Sequence, residues 1–181
     1  MKYFISDNHW GHENIIRMSG RPFGNAHQMN MFMLEKWNET VKPEDEVYFL
    51  GDFMFRMNPT KFVNEILNNL NGKIYHIIGN HDEKFLSNYV NRVEWSKDIE
   101  KFTYNHNGKD YKFILCHYPI YSWNGMWRGS IHLHGHTHKN GLDLVFGTAT
   151  ESNKMNVNCE FIDYKPISIV DVIDSFYPVK K

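Results

Sequence analysis

Five short apolar runs in this chain each stop at a residue able to hold a cation, and no other feature narrows the possible folds as far. Residues 2–6 run into Asp7-Asn8-His9, residues 47–50 into Gly51-Asp52, and residues 73–78 into Gly79-Asn80-His81-Asp82. Residues 111–116 run into His117, and residues 131–134 into Gly135-His136-Thr137-His138. Short apolar runs closed by turn formers read as strands. Side chains just beyond the carboxyl ends of strands line the crevice of an open α/β sheet. One aspartate after a strand is usually a turn former, and one histidine is usually a packed residue. Five such endings in order need a common cause.

Between the runs the pattern changes period. Met29, Phe32, Met33 and Trp37 lie near helical spacing and predict a helix over about residues 28–41. Asn58-Pro59 reads as the cap and first residue of another, with Phe62, Ile66, Leu67 and Leu70 as its buried stripe and Asn71-Gly72 at its end. Strand-helix-strand alternation predicts a parallel α/β core. Asn107-Gly108, between residues 99–104 and 111–116, is a hairpin signal. Residues 131–134 and 156–161 read as further strands, and 170–176 as a closing helix. Without repeats or linkers, one domain over residues 1–181 is the economical expectation.

Composition removes several classes. Hydrophobic residues at 41% and aromatics at 15% exclude disorder. A net charge of −1 gives no general attraction to an anionic membrane or to nucleic acid, so stable nucleic-acid binding is not expected. No basic stripe suits an RNA-binding domain. The N-terminal segment meets Asp7 before an apolar run develops, unlike a secretory signal, and no run approaches the ~18 apolar residues of a membrane span. Cys116 and Cys159 form no CxxC pair and are expected as buried thiols in strands. The expected compartment is the cytoplasm.

In order, the five blocks resemble the signature of the calcineurin-like metallophosphoesterases. DxH corresponds to Asp7 and His9, and GDxxDR to Gly51-Asp52-Phe53-Met54-Phe55-Arg56. GNHE corresponds to Gly79-Asn80-His81-Asp82, followed by the lone His117 and by GHxH at Gly135-His136-Thr137-His138. The flanking Gly11-His12-Glu13-Asn14 and Ser19-Gly20-Arg21-Pro22-Phe23 resemble a small bacterial and phage subgroup. The resemblance implies a four-layer αββα sandwich, two mixed β-sheets flanked by helices. It implies one divalent metal held by Asp7, His9, Asp52 and His138, and a second held by Asp52, Asn80, His117 and His136, with Asp52 bridging. Mixed nitrogen and oxygen ligands without thiolate suit manganese first, with iron, zinc, nickel or cobalt as alternatives. Two aspartates against two dications leave the site net positive, which draws in phosphate. The implied reaction is hydrolysis of a phosphate ester by a hydroxide bridging the metals.

His81 holds the family position that protonates the leaving group. Phe55 stands where an aspartate usually orients that histidine, and Asp82 is the residue that could replace it. Arg56 matches the family arginine and could contact a phosphate oxygen; His12 and Arg21 are further candidates. His134 is expected as a packed strand residue or a partner of a ligand, and His27, His76, His106 and His132 as structural. Tyr121, Trp123 and Trp127 are expected to anchor their loop on the core rather than stack on a base. The expected activity is that of a phosphodiesterase on a small ester, possible substrates including a nucleotide. A phosphomonoesterase or nucleotide pyrophosphatase with the same site is the alternative, and a non-catalytic metal-binding scaffold is the alternative of another class.

Overall fold

Alternation along the first strands sorts their side chains between two cores. The structure, a computed structural model, describes residues 1–55, 57–82, 90–139 and 153–178. Its strands, in chain order, are β1 (Lys2–Ile5), β2 (Glu46–Phe49), β3 (Lys73–Ile77), β4 (Trp95–Lys97), β5 (Ile99–His106), β6 (Lys109–Cys116), β7 (Ile131–His134), β8 (Lys154–Asn156) and β9 (Ile167–Ser168). Its α-helices are α1 (Glu13–Met18), α2 (Ala26–Thr40), α3 (Pro59–Glu65) and α4 (Ile169–Phe176). One sheet has the order β4-β3-β2-β1-β9, parallel except for β9; the other has the order β5-β6-β7-β8. In the second sheet β5 and β6 are antiparallel, and β7 and β8 continue in parallel. The mixed α/β architecture with two mixed sheets is the expected one.

Ile5, Val47 and Phe49 face α1, α2 and α3, meeting Ile15, Met33, Trp37 and Phe62. Phe4, Tyr48 and Leu50 point the other way, towards Phe113, Leu115, Ile131 and Leu133 of the second sheet. A period of two on strands buried on both sides produces both cores. α4 adds Ile169, Val172 and Ile173 to the core between the sheets. The sheets meet where β1 and β8 end: Ser6 donates to the Val157 carbonyl at 3.0 Å, and Cys159 donates to the Ser6 carbonyl at 3.0 Å.

The Asn107-Gly108 hairpin forms as its sequence dictates, both residues having positive φ (51° and 79°) with His106 opposite Lys109. α2 begins where Asn25 Oδ1 accepts from Gln28 N, and α3 where Asn58 Oδ1 accepts from Lys61 N. Two expectations need correction. The strand expected over residues 156–161 ends at Asn156, and Cys159–Phe161 is a 3-10 turn. Asn156 Oδ1 accepts from Asn158 N and Asn158 Oδ1 from Glu160 N, so side chains take the donors a ladder would have used. Cys159 is therefore buried in a turn, whereas Cys116 ends β6; both are free thiols. α1 was not foreseen, because its one buried residue, Ile15, leaves no periodic stripe. No helix among the described residues is long and apolar enough to cross a membrane.

Phe113 stacks on Phe102 at 5.2 Å and on Phe4 at 6.0 Å between centroids, with no solvent exposure. Phe113→Ala is expected to lower unfolding free energy by about 3–5 kcal/mol in urea titrations. A loss near zero would mean that the two sheets do not depend on this contact.

Candidate metal centre

Strand ends deliver the polar residues to one place. Asp7 and His9 follow β1, Asp52 follows β2, Asn80 and His81 follow β3, His117 follows β6, and His136 and His138 follow β7. Asp7, His9, Asp52 and His136 all have positive φ, between 51° and 69°. Such conformations cost of order 1–3 kcal/mol each and persist where surrounding bonds over-determine them. Here Asp7 N donates to the Gly51 carbonyl at 2.9 Å, His9 N to the Asp52 carbonyl at 3.1 Å, and His136 N to Asp7 Oδ2 at 3.0 Å. Gly135 and Gly79 have no side chain because a Cβ would strike Asp7 Oδ2 and Asp52 Oδ1 respectively.

Within this frame the polar atoms converge. Asp52 Oδ2 lies 3.5 Å from His9 Nε2, 3.6 Å from His117 Nε2 and 4.0 Å from His81 Nε2. Asn80 Oδ1 lies 3.0 Å from both His117 Nε2 and His136 Nδ1. His138 Nε2 stands 3.9 Å from Asp7 Oδ1. Ligand atoms of Asp7, His9 and His138 lie within 4.8 Å of one another, as do those of Asp7, Asp52 and His117, so each group could hold a metal.

Three observations show that these residues fit divalent cations. His117 Nδ1 donates to the Leu50 carbonyl at 2.8 Å, which leaves its Nε2 a lone pair aimed at two acceptor oxygens, Asn80 Oδ1 and Asp52 Oδ2. A cation between them would reconcile acceptors that face one another. His9 is buried with no hydrogen-bond partner on either ring nitrogen, and burial holds its pKa well below the ordinary value. It is therefore a neutral imidazole, the form that binds metals. Burial and the charge of Asp52 push the Asp7 carboxyl up, and burial pushes that of Asp52 up to about 6. Two crowded carboxylates in a dry place are tolerable when cations balance them.

The residues around this centre depart from expectation in instructive ways. Arg21, a candidate for phosphate contact, is only 4% exposed and faces inward. It donates to Glu160 Oε1 at 2.9 Å and to the Asn8 and Asp7 carbonyls at 2.8 and 2.7 Å. Glu160 was missed. It is buried and accepts from His138 Nδ1 at 2.7 Å, so His138 turns Nε2 towards Asp7. Burial pushes the Glu160 carboxyl up, but His138 and Arg21 outweigh it and hold the pKa at about 2. The signal for it lay in the polar alternation Asn156, Asn158, Glu160, which reads as one face of a strand.

Asp82 does not replace the missing aspartate at Phe55. Its buried carboxylate accepts from Gly79 N, Asp52 N and Phe53 N, each at 2.8 Å, and meets His76 Nε2 at 3.1 Å. It ties the β2 and β3 loops together, and His76, expected to be structural, is part of that tie. His81 is instead held edge-on against the Phe55 ring at 4.8 Å. Arg56 lies outside the described residues. His134 packs within its strand, donating from Nδ1 to the Gly135 carbonyl at 2.9 Å. Trp123 anchors its loop, donating to the Ser130 carbonyl at 3.1 Å, but Tyr121 and Trp127 are 96% and 91% exposed rather than packed on the core.

Two mixed sheets with aspartate and histidine groups able to hold metal at their strand ends belong to the class of metal-dependent phosphoesterases. The family model described as calcineurin-like phosphoesterase matches residues 3–148, and the chain belongs to that family. The uncharacterized protein MJ1445 of Methanocaldococcus jannaschii is 40% identical over 168 residues, covering 92% of this chain and 86% of that protein. The crystal structure of AQ665, a protein of unknown function from Aquifex aeolicus, is similar with a TM-score of 0.70 at 27% identity. That likeness covers 97% of this chain and 99% of the other.

Loss of a carboxylate partner behind a metal-binding histidine typically costs about 10–100-fold in affinity. Glu160→Gln is expected to weaken manganese binding by that factor in calorimetric titration of metal-free protein; unchanged affinity would remove Glu160 from the site. Arg21→Met leaves a buried carboxylate short of its cation and is expected to cost about 3–5 kcal/mol of stability in urea. A raised KM with stability intact would restore Arg21 to the role of phosphate contact.

Proposed function

We propose that this chain is a phosphodiesterase acting on a small phosphate ester, with manganese as the first expected metal. The observation that carries the reading is the set of lone pairs at His9, His117, Asn80 and Asp52 facing one another across ångströms, which two cations would reconcile. Asp7, His9, Asp52 and His138 would hold one, and Asp52, Asn80, His117 and His136 the other. When bound, such a pair polarises the phosphoryl oxygens and lowers the pKa of a water to about 7.

The chain's own residues supply the rest. Asp52 Oδ1 accepts from His81 N at 2.9 Å, which fixes the carboxylate so that Oδ2 faces the histidines. The same bond places His81 beside the reacting centre, its side chain 40% exposed to the cleft and its Nε2 4.0 Å from Asp52 Oδ2. From there it can deliver a proton to the departing oxygen. Phe55 limits the tilt of that ring without supplying charge. A cleft of about 640 Å³ opens over these groups, and no lysine or arginine lines it among the described residues. A cleft of this size has room for both organic groups of a diester, which is the substrate class the reading takes. Two free buried thiols are compatible with the reducing cytoplasm as the place of action.

The test is to strip the protein of metal, restore manganese, nickel, zinc, iron or magnesium singly, and assay bis-p-nitrophenyl phosphate beside p-nitrophenyl phosphate. Metal-dependent turnover favouring the diester, abolished in Asp52→Asn, is the expected result. His81→Gln should slow esters with poor leaving groups by about 10²-fold or more and p-nitrophenyl esters less. Preference for the monoester would make the chain a phosphomonoesterase. Tight binding of two ions without turnover of any ester would make it a scaffold.

A further inference from the structure

The cleft has a second wall that the metal centre does not use. α1 and the residues around it supply His12, Asn14, Ile15, Met18 and Ser19, and Phe55 closes the side towards His81. Ile15 is 4% exposed and forms the floor, while Met18 stands 62% exposed on the rim. The rings of His12 and Phe55 lie 4.2 Å apart between centroids at 45°. Phe55 thus stands between two histidines, His12 and His81, and presents ring surface where the family pattern has a carboxylate.

The chemistry of this wall differs from that of the metal wall. It is apolar and aromatic at its floor, with Asn14 and Ser19 as polar groups beside it. Among the described residues its lining carries no formal charge at neutral histidine; Arg17, in the last turn of α1, is exposed and lies outside the lining, and Arg21 is turned away into the Glu160 pair. A volume of about 640 Å³ falls within the ~300–1,000 Å³ of small-ligand sites that bury most of their ligand, and a lone phosphate would leave much of it empty. Aromatic faces and a methionine thioether are complementary to a flat ring.

Resting on the phosphoesterase reading above, we propose that the α1–Phe55 wall is a subsite for the organic group of the ester, and that this group carries a flat, uncharged ring, as an aryl or nucleoside alcohol does. The ring lies against Met18, Ile15 and Phe55 while the phosphoryl group faces the aspartates and histidines. Phe55 is then a specificity-determining residue as well as the support of His81.

The test is calorimetric titration of the manganese-loaded protein with the O-methyl monoesters of phenylphosphonate and methylphosphonate, singly charged like a diester, which share the phosphoryl end and differ only in the ring. Burial of a ring face predicts phenylphosphonate binding about tenfold tighter. In Met18→Ser and in Phe55→Ala, each checked for native circular dichroism, that preference is expected to fall below about threefold. Equal affinity of the two phosphonates in the wild type, or a preference that survives in both variants, overturns the subsite. Failure of both phosphonates to bind protein shown to contain its metal would instead overturn the phosphoesterase reading, and the subsite with it.

Discussion

Everything near the centre of this molecule answers to one electrostatic problem, the burial of Asp7 and Asp52 side by side. Neither carboxylate is exposed, and each raises the cost of ionising the other. The surrounding structure offers partial compensation through oriented donors: His136 N reaches Asp7, and His81 N reaches Asp52. Backbone amides carry partial charge, so they orient the oxygens without neutralising them. The remaining imbalance is what makes the place a seat for cations rather than a packed polar core.

A second layer of charge keeps the first in register. Glu160 and Arg21 form a buried pair whose Arg end holds the Asp7 and Asn8 carbonyls and whose Glu end holds His138. Asp82 performs the corresponding task on the opposite side, gathering three amides from the β2 and β3 loops. Both are anions placed where backbone or histidine N–H groups converge, and both join segments far apart in sequence. The two sheets therefore need not be rigid along their whole length. They need only agree where β1, β2, β3, β6 and β7 end.

The sequence made the candidate metal-binding residues legible because each sits at a strand end, where a period of two breaks off at a turn former. Asp7, His9, Asp52, Asn80, His117, His136 and His138 could all be placed together on that ground. The supporting residues were illegible for a different reason. Glu160 is separated from His138 by 22 positions and from Arg21 by 139, and no local period links them. Arg21 stood as a candidate for phosphate contact because sequence does not reveal which way a guanidinium turns. Asp82, next to His81, looked like its partner until the backbone direction showed the carboxylate pointing under the loop. α1 lacked an apolar stripe because half of what it does is to line a cleft.

The left-handed backbone at Asp7, His9, Asp52 and His136 also bears on which sequences can inherit this site. Aspartate and histidine are among the few side chains that tolerate that conformation, so each of these positions is filtered twice, once by coordination chemistry and once by the torsion of the chain. Glutamate at position 7 would bring the same charge with longer reach and a backbone less suited to the turn. Replacement of either aspartate by glutamate should therefore be penalised by the backbone even where the longer acid could reach the same ion.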